Sequence, residues 1–258
     1  MTLIVFKLVI PHNYSDDVIL NYQKKKILIN KKVTAAFFGD SSCGNAIDSK
    51  VFGDSVSNFS LVGDYTYRGS FEMIKLAKKN HPELKRVYIM HTLDVLNRET
   101  NMYKLINSEP DEFEMLTKEM YVFLTRILNR SFDGLFKNKI VIENDYLKQN
   151  AKTDIIIPKI LKSPISPSNR ESIKEMVKYF NEQKMEYVFL IGPSTDILKN
   201  QMYDDAISFF EVNHFKLVKE NYHLNIKNIG DGNDHVSPDF KKESSRFYMN
   251  EINKILSY

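Results

Sequence analysis

Apolar residues along the chain gather in short unbroken runs, separated by stretches in which they recur at every third or fourth position. The run Val33-Thr34-Ala35-Ala36-Phe37-Phe38 has no helical period and ends at Gly39-Asp40, after which small residues open a new segment. It reads as a buried strand turning sharply into a helix that reaches from Asn45 to Val51. Val56 to Val62 reads as a second strand, ending at Gly63-Asp64. Ser70 is the expected cap of a helix carrying Phe71, Ile74 and Ala77 on one face and stopping at His81-Pro82. Arg86 to His91 is the third strand.

Residues from about 97 to 167 break the rhythm. Ser108-Glu109-Pro110-Asp111 opens a long helix whose Phe113, Leu116, Met120, Phe123 and Ile127 share a stripe. Lys139 to Ile142 and Asp154 to Ile157 look like short strands, and Ser163 to Pro167 like a stiff loop. This stretch is expected to be an insertion over the carboxyl edge of the sheet, where insertions often shape a substrate site. Ser168 and Glu171 then form a capping box for a helix facing inward through Ile173, Met176, Val177 and Phe180. Glu186 to Pro193 is the fourth strand, Asp196 to about Val212 a helix, and His214 to Val218 the fifth strand. Ser237-Pro238 caps a last helix with Tyr248, Ile252 and Ile255 on one face.

Strands alternating with helices call for parallel pairing through crossovers. The expected fold is a three-layer α/β/α sandwich around a mainly parallel sheet of about five strands, with a helical insertion. Residues 1–32 are set apart as an N-terminal arm, and 33–258 as the main domain. Leu3 to Ile10 is apolar but broken by Lys7 and ended by Pro11, too short to cross a bilayer. It reads either as a packed arm or first strand, or as the remnant of a membrane anchor, which would make the protein extracytoplasmic.

Composition narrows the function classes. A formal charge of +3 over 258 residues is too small to imply nucleic acid, and the clusters Lys24-Lys25-Lys26 and Lys31-Lys32 read as solvated surface. The single cysteine, Cys43, excludes internal disulfides and a cysteine-based zinc site. No metal or other cofactor is called for. The Gly-Lys-Ser/Thr signature of a phosphate loop is absent.

The turn after the first core strand holds Ser41 at the carboxyl edge of the sheet, where open α/β sheets bind ligands. A serine is nucleophilic there only if a base reaches it, and Asp231-Gly232-Asn233-Asp234-His235 offers one. Ser41 and His235 are read as one active site. The bland alternative makes Ser41 a helix cap. Cys43, two residues past the turn, should point into helix packing. His91, at the active edge of its strand, is a candidate substrate contact.

These blocks resemble the SGNH (GDSL-like) hydrolase superfamily. Gly39-Asp40-Ser41 looks like its first block, whose serine is the nucleophile. Asn58 to Asp64 is similar to the second, whose glycine, here Gly63, gives a backbone N–H to the oxyanion hole. The Asp and His group near residue 235 looks like the last, which supplies the base and its orienting acid. The resemblance implies a flavodoxin-like fold, with the backbone N–H groups of Ser41 and Gly63 as oxyanion donors. It departs from the pattern twice. An ungapped match puts Leu93 where the third block has an asparagine amide, which leaves Thr92 or Asn97 as substitutes. The acid's usual place, three residues before the histidine, is Gly232, so Asp231, slightly favoured, and Asp234 both remain candidates.

The apolar N-terminal stub, a Tyr- and Lys-rich connector and then Gly39-Asp40-Ser41-Ser42 resemble, more narrowly, the membrane-anchored SGNH-like proteins of bacterial cell-surface polysaccharide acylation. This resemblance implies an esterase or O-acyltransferase acting on an acylated carbohydrate through an acyl-serine. The runner-up is a catalytically weak carbohydrate-binding or assembly subunit. With no Trp in the chain, Tyr65, Tyr67 and Arg68, just past Gly63, are read either as sugar contacts, beside Asp40 and His91, or as an ordinary surface loop.

Overall fold

The computed structural model describes residues 15–30, 32–99, 165–195, 204, 206–230 and 234–256. Five parallel strands form one sheet: β1 (Ala35–Gly39), β2 (Val56–Asn58), β3 (Arg86–His91), β4 (Glu186–Ile191) and β5 (Leu217–Val218). Their order is β2-β1-β3-β4-β5. This is the doubly wound arrangement in which the chain reverses direction across the sheet beside β1, leaving a crevice at the strands' carboxyl ends.

The side-chain alternation of β1 explains the layers. Ala36 and Phe38 belong to a cluster with α3 (Thr66–Asn80) and α4 (Pro167–Glu182), through Phe71, Ile74, Ala77, Ile173, Met176 and Phe180. Ala35 and Phe37 belong to a second cluster with α2 (Ser41–Ala46) and α5 (Lys241–Leu256), through Cys43, Tyr248 and Ile252. A strand covered on both faces must be apolar throughout, which is why no period of two is visible in it. Burying each of its phenylalanines contributes roughly 1.5–3 kcal/mol.

Several boundaries move, each for a local reason. The helix expected over 45–51 is instead α2, begun by Asp40, followed by a 3-10 turn Ser49–Phe52 begun by Asp48. Two short acidic side chains that accept N–H groups split the segment in two. The second strand pairs only through Asn58, yet Phe59 N and Leu61 N still donate to Phe37 O and Gly39 O at 2.8 Å, so the chain runs extended to Gly63. Helix α3 starts at Thr66, before Ser70, and α4 is capped by Ser166, whose side chain accepts from Asn169 N, rather than by Ser168. In the last strand only Leu217–Val218 pairs.

Residues 15–29 form a helix, α1 (Ser15–Ile29), that the sequence pattern does not signal. Leu20 and Ile27 enter the same cluster as Phe59 and Leu61, and Gln23 Nε2 donates to Ser60 O at 2.9 Å. This part of the expected arm is therefore packed on the sheet's edge. Lys26 is not the solvated cation it was expected to be. Its Nζ donates to Asn58 O at 2.8 Å and stands 5.6 Å from the Phe59 ring centroid. Burial, with Lys241 adding repulsion, lowers its pKa to about 8. The apolar run Leu3 to Ile10, the Phe113 to Ile127 stripe, the strands expected at 139–142 and 154–157, and the start of the helix expected from Asp196 lie outside the described residues. Among the described residues no helix is long and apolar enough to cross a membrane.

Gly39 sits at φ +156°, and a Cβ there would lie 1.7 Å from Met90 O. Gly53, at φ +120°, has nothing within 4 Å of the same position. Gly53→Ala should cost only backbone strain, about 1–3 kcal/mol, and Gly39→Ala at least about 2 kcal/mol more, because β1 and β3 must part. Urea unfolding of the two variants checks this; equal losses would mean that close approach is not what requires glycine at 39.

Candidate active site

Ser41 is positioned by the residue before it. Asp40 is the N-cap of α2, extended at φ −93°, and its Oδ1 accepts from Ser42 N at 2.9 Å, from Cys43 N at 3.4 Å and from the Ser42 hydroxyl. Its Oδ2 accepts from Thr92 N at 2.8 Å. One carboxylate thus fastens the start of α2 to the segment leaving β3. Ser41, the first helical residue, has an N–H with no acceptor inside the helix, and its side chain stands half-buried at the sheet's carboxyl edge.

His235 arrives from the other end of the chain on a loop closed by backbone pairing. Ile229 and Val236 form an antiparallel bridge, Gly230 N donates to His235 O at 2.7 Å, and Ser237 N donates to Asn228 O at 2.8 Å. Asn228 stiffens the loop from within, accepting from Asn225 N and donating to His223 O. His235 Nε2 lies 2.8 Å from Ser41 Oγ, a hydrogen bond across 194 positions of sequence. That is the separation a base needs to take a hydroxyl proton.

Asp234 does not occupy the place of an orienting acid. Its Oδ1 is 3.7 Å from His235 Nε2, the nitrogen that faces Ser41, whereas an orienting carboxylate binds Nδ1. Adjacent residues project apart, so Asp234 reaches only the serine side of the ring. Burial raises its pKa to about 7; the Asp94 and Asp40 carboxylates push the same way, while His235 and Arg98 oppose. A quarter of its side chain still reaches solvent, so the crowding of like charges matters beside burial. Asp231 lies outside the described residues.

The remaining expected site residues divide. Gly63 opens a 3-10 turn, Gly63–Tyr65, brought beside β1 by the Leu61 N to Gly39 O bond. Its N–H, like that of Ser41, has no acceptor inside its own turn. Thr92 is 1% exposed and its hydroxyl contacts Asp40 Oδ2 and Asp94 Oδ1, so it faces inward and is not an oxyanion donor. Leu93 is 1% exposed in the core. Asn97 is half-buried at the end of the 3-10 turn Leu93–Asn97.

Of the expected substrate contacts, Asp40, Tyr65, Tyr67 and His91 are buried and Arg68 alone reaches the surface. Tyr65 and Tyr67 are core residues, because the chain passes from the Gly63 turn directly into α3 at Thr66, which takes φ +51°. Tyr67 lies against the ring of His91, with centroids 4.2 Å apart. His91 is buried, with Nε2 2.9 Å from Ser70 Oγ and Nδ1 3.5 Å from Asp40 Oδ2. Asp40 is itself buried, with both oxygens engaged. Burial opposes its ionisation, but His91, the Ser42 hydroxyl and Thr92 N–H outweigh it and hold the carboxyl well below the usual carboxylate range. Arg68 is partly exposed but ties α3 to α4, pairing with Glu72 at 3.2 Å and Glu175 at 2.6 Å. Cys43 is buried, with its thiol pushed up chiefly by burial, and is no nucleophile at neutral pH.

Sequence reasoning missed Asp94 and Arg98, which form an ion pair at the rim beside Gly63. The available signal was an acid and a base four positions apart, just past the end of β3.

No family model and no curated protein matches the chain. Among solved structures it is similar to a candidate platelet activating factor protein from Streptococcus pneumoniae, with 11% identity and TM-score 0.46 over 92% of each chain. A candidate acylhydrolase from Bacteroides fragilis has 10% identity and TM-score 0.45, over 94% of this chain and 99% of that one. A candidate lipolytic protein of the G-D-S-L family from Desulfitobacterium hafniense has 10% identity and TM-score 0.42, over 84% and 99%.

The raised pKa of Asp234 has a definite sign for stability. Unfolded, the carboxyl titrates near 3.8; folded, near about 7. The folded chain therefore holds the extra proton between those values, and the stability it contributes is complete below about pH 4 and lost as pH rises through about 7. The melting temperature of Asp234→Asn should fall less steeply than that of wild type between about pH 4 and 7. Parallel melting curves would contradict the assignment.

Proposed function

We propose that this protein is a serine-dependent acyl-ester enzyme of the SGNH type, an esterase or O-acyltransferase. The observation that carries the reading is the 2.8 Å contact between Ser41 Oγ and His235 Nε2 at the carboxyl edge of a parallel sheet. His235 takes the Ser41 proton as Oγ attacks the ester carbonyl, and the tetrahedral oxyanion is received by the N–H groups of Ser41 and Gly63. As the carbon–oxygen bond to the leaving group breaks, His235 returns the proton to the departing alkoxide. In the second half His235 deprotonates water, giving an esterase, or a sugar hydroxyl, giving an O-acyltransferase. Attack on the acyl-serine breaks the bond between the acyl carbon and Ser41 Oγ, and His235 returns the proton to Oγ, restoring the free serine.

The finer substrate, an acylated carbohydrate such as a bacterial cell-surface polysaccharide, rests on the sequence resemblance alone. It is not supported by Tyr65 or Tyr67, which are buried. Buried Leu93, standing where the family has an amide, favours the second reading, a catalytically weak carbohydrate-binding or assembly subunit.

A fluorophosphonate probe separates the two. Wild type should label, Ser41→Ala should not, and His235→Ala should label at least about a hundredfold more slowly. Labelling that persists in Ser41→Ala removes the nucleophile; no labelling of wild type, with retained glycan binding, supports the binding subunit. Acetyl release from p-nitrophenyl acetate with and without sugar acceptors then distinguishes esterase from transferase.

A further inference from the structure

The turn Leu93–Asn97 leaves β3 at the same sheet edge as Ser41 and delivers Arg98. The backbone there is fixed from below. Arg98 O accepts from Ser166 Oγ at 3.0 Å and from Asn169 Nδ2 at 2.9 Å. Asn169, fully buried, also donates to Val95 O and Leu96 O. The side chain is fixed from both sides: Nη1 is 3.3 Å from Asp64 Oδ1, and Nη2 pairs with Asp94 Oδ2. Asp94 in turn meets the Thr92 hydroxyl, and Thr92 binds Asp40, the neighbour of Ser41.

Gly63 gives the guanidinium its place. A Cβ on Gly63 would lie 3.1 Å from Arg98 Nη1, so the fork packs directly against the backbone whose N–H serves the oxyanion in the reading above. The Arg98 side chain is 44% exposed and so open to a ligand. Asp64 and Asp94 engage two of the five N–H groups a guanidinium presents. Partial burial opposes its charge, but Asp94, Asp64 and Asp40 outweigh that and hold the cation. Its field also reaches Asp234, beside His235.

We propose that Arg98 is a catalytic residue, its guanidinium donating to the oxyanion beside Gly63 N–H in place of the side-chain amide that Leu93 cannot supply; the inference rests on the acyl-ester reading. A cationic donor fixed before the reaction stabilises charge that exists only in the transition state, so its loss falls on kcat.

Arg98→Ala and Arg98→Lys are assayed on p-nitrophenyl acetate beside wild type and Ser41→Ala, with melting temperatures measured for each. Arg98→Ala should lose about a hundredfold or more in kcat with KM changed less than about threefold. Arg98→Lys should recover part of that loss, and millimolar guanidinium should partly restore Arg98→Ala but not Ser41→Ala. The inference is overturned by wild-type kcat in Arg98→Ala, by a raised KM with kcat retained, or by a loss that guanidinium leaves unchanged. A wild type without Ser41-dependent turnover removes the acyl-ester reading and this inference with it, an outcome distinct from failure at Arg98 alone.

Discussion

The carboxylate of Asp40 joins two parts of the molecule, the turn into α2 and the segment leaving β3, that lie 52 positions apart in sequence. One oxygen collects the N–H groups that open α2, and the other collects Thr92 N as the chain leaves β3. Hydrogen bonds to a charged acceptor contribute about 1.5–3 kcal/mol each when buried and well formed. The ion is tolerated inside the protein because every side of it is met: His91 from β3, Ser42 from α2, Thr92 from the following turn. The position of Ser41 is a consequence. It is the one residue of the turn left facing outward when its neighbours on both sides are pulled in.

The same carboxylate explains why the site extends where it does. Thr92, held by Asp40, sets the phase of the turn Leu93–Asn97, sending Leu93 into the core and Asp94 and Arg98 to the rim. On the opposite side the histidine loop is closed by backbone pairing of its own. The bridge at Ile229 and Val236, and burial of Val236 in the second core cluster, help hold His235 over the serine. Two independently stiffened pieces of chain meet, which is the preorganisation that general-base chemistry requires.

Much of this was legible in the sequence where local chemistry is strong. An apolar run ended by Gly-Asp-Ser fixes a buried strand and its turn, and β3 falls on the residues its pattern marks. The inward face of α4 is read correctly through Ile173, Met176, Val177 and Phe180. Helix α1 escaped because its pattern points the wrong way: Gln23 is buried while Leu28 and Ile29 are more than 60% exposed. Tyr65 and Tyr67 were misread because Gly63-Asp64 looks like the start of a loop, whereas a strained Thr66 carries the chain straight into α3. Asp40 and His91 were placed at the right edge of the sheet, but sequence does not reveal which polar groups a fold turns inward to satisfy one another.

The account stands on Ser41 and His235 forming one working pair. A crystal structure of the protein after reaction with a fluorophosphonate tests that most directly. Density continuous from Ser41 Oγ to phosphorus, with the His235 imidazole within about 3.2 Å of the adduct, is the expected result. An adduct on any other side chain, or a phosphonylated Ser41 with His235 turned to a different face of the molecule, would contradict it.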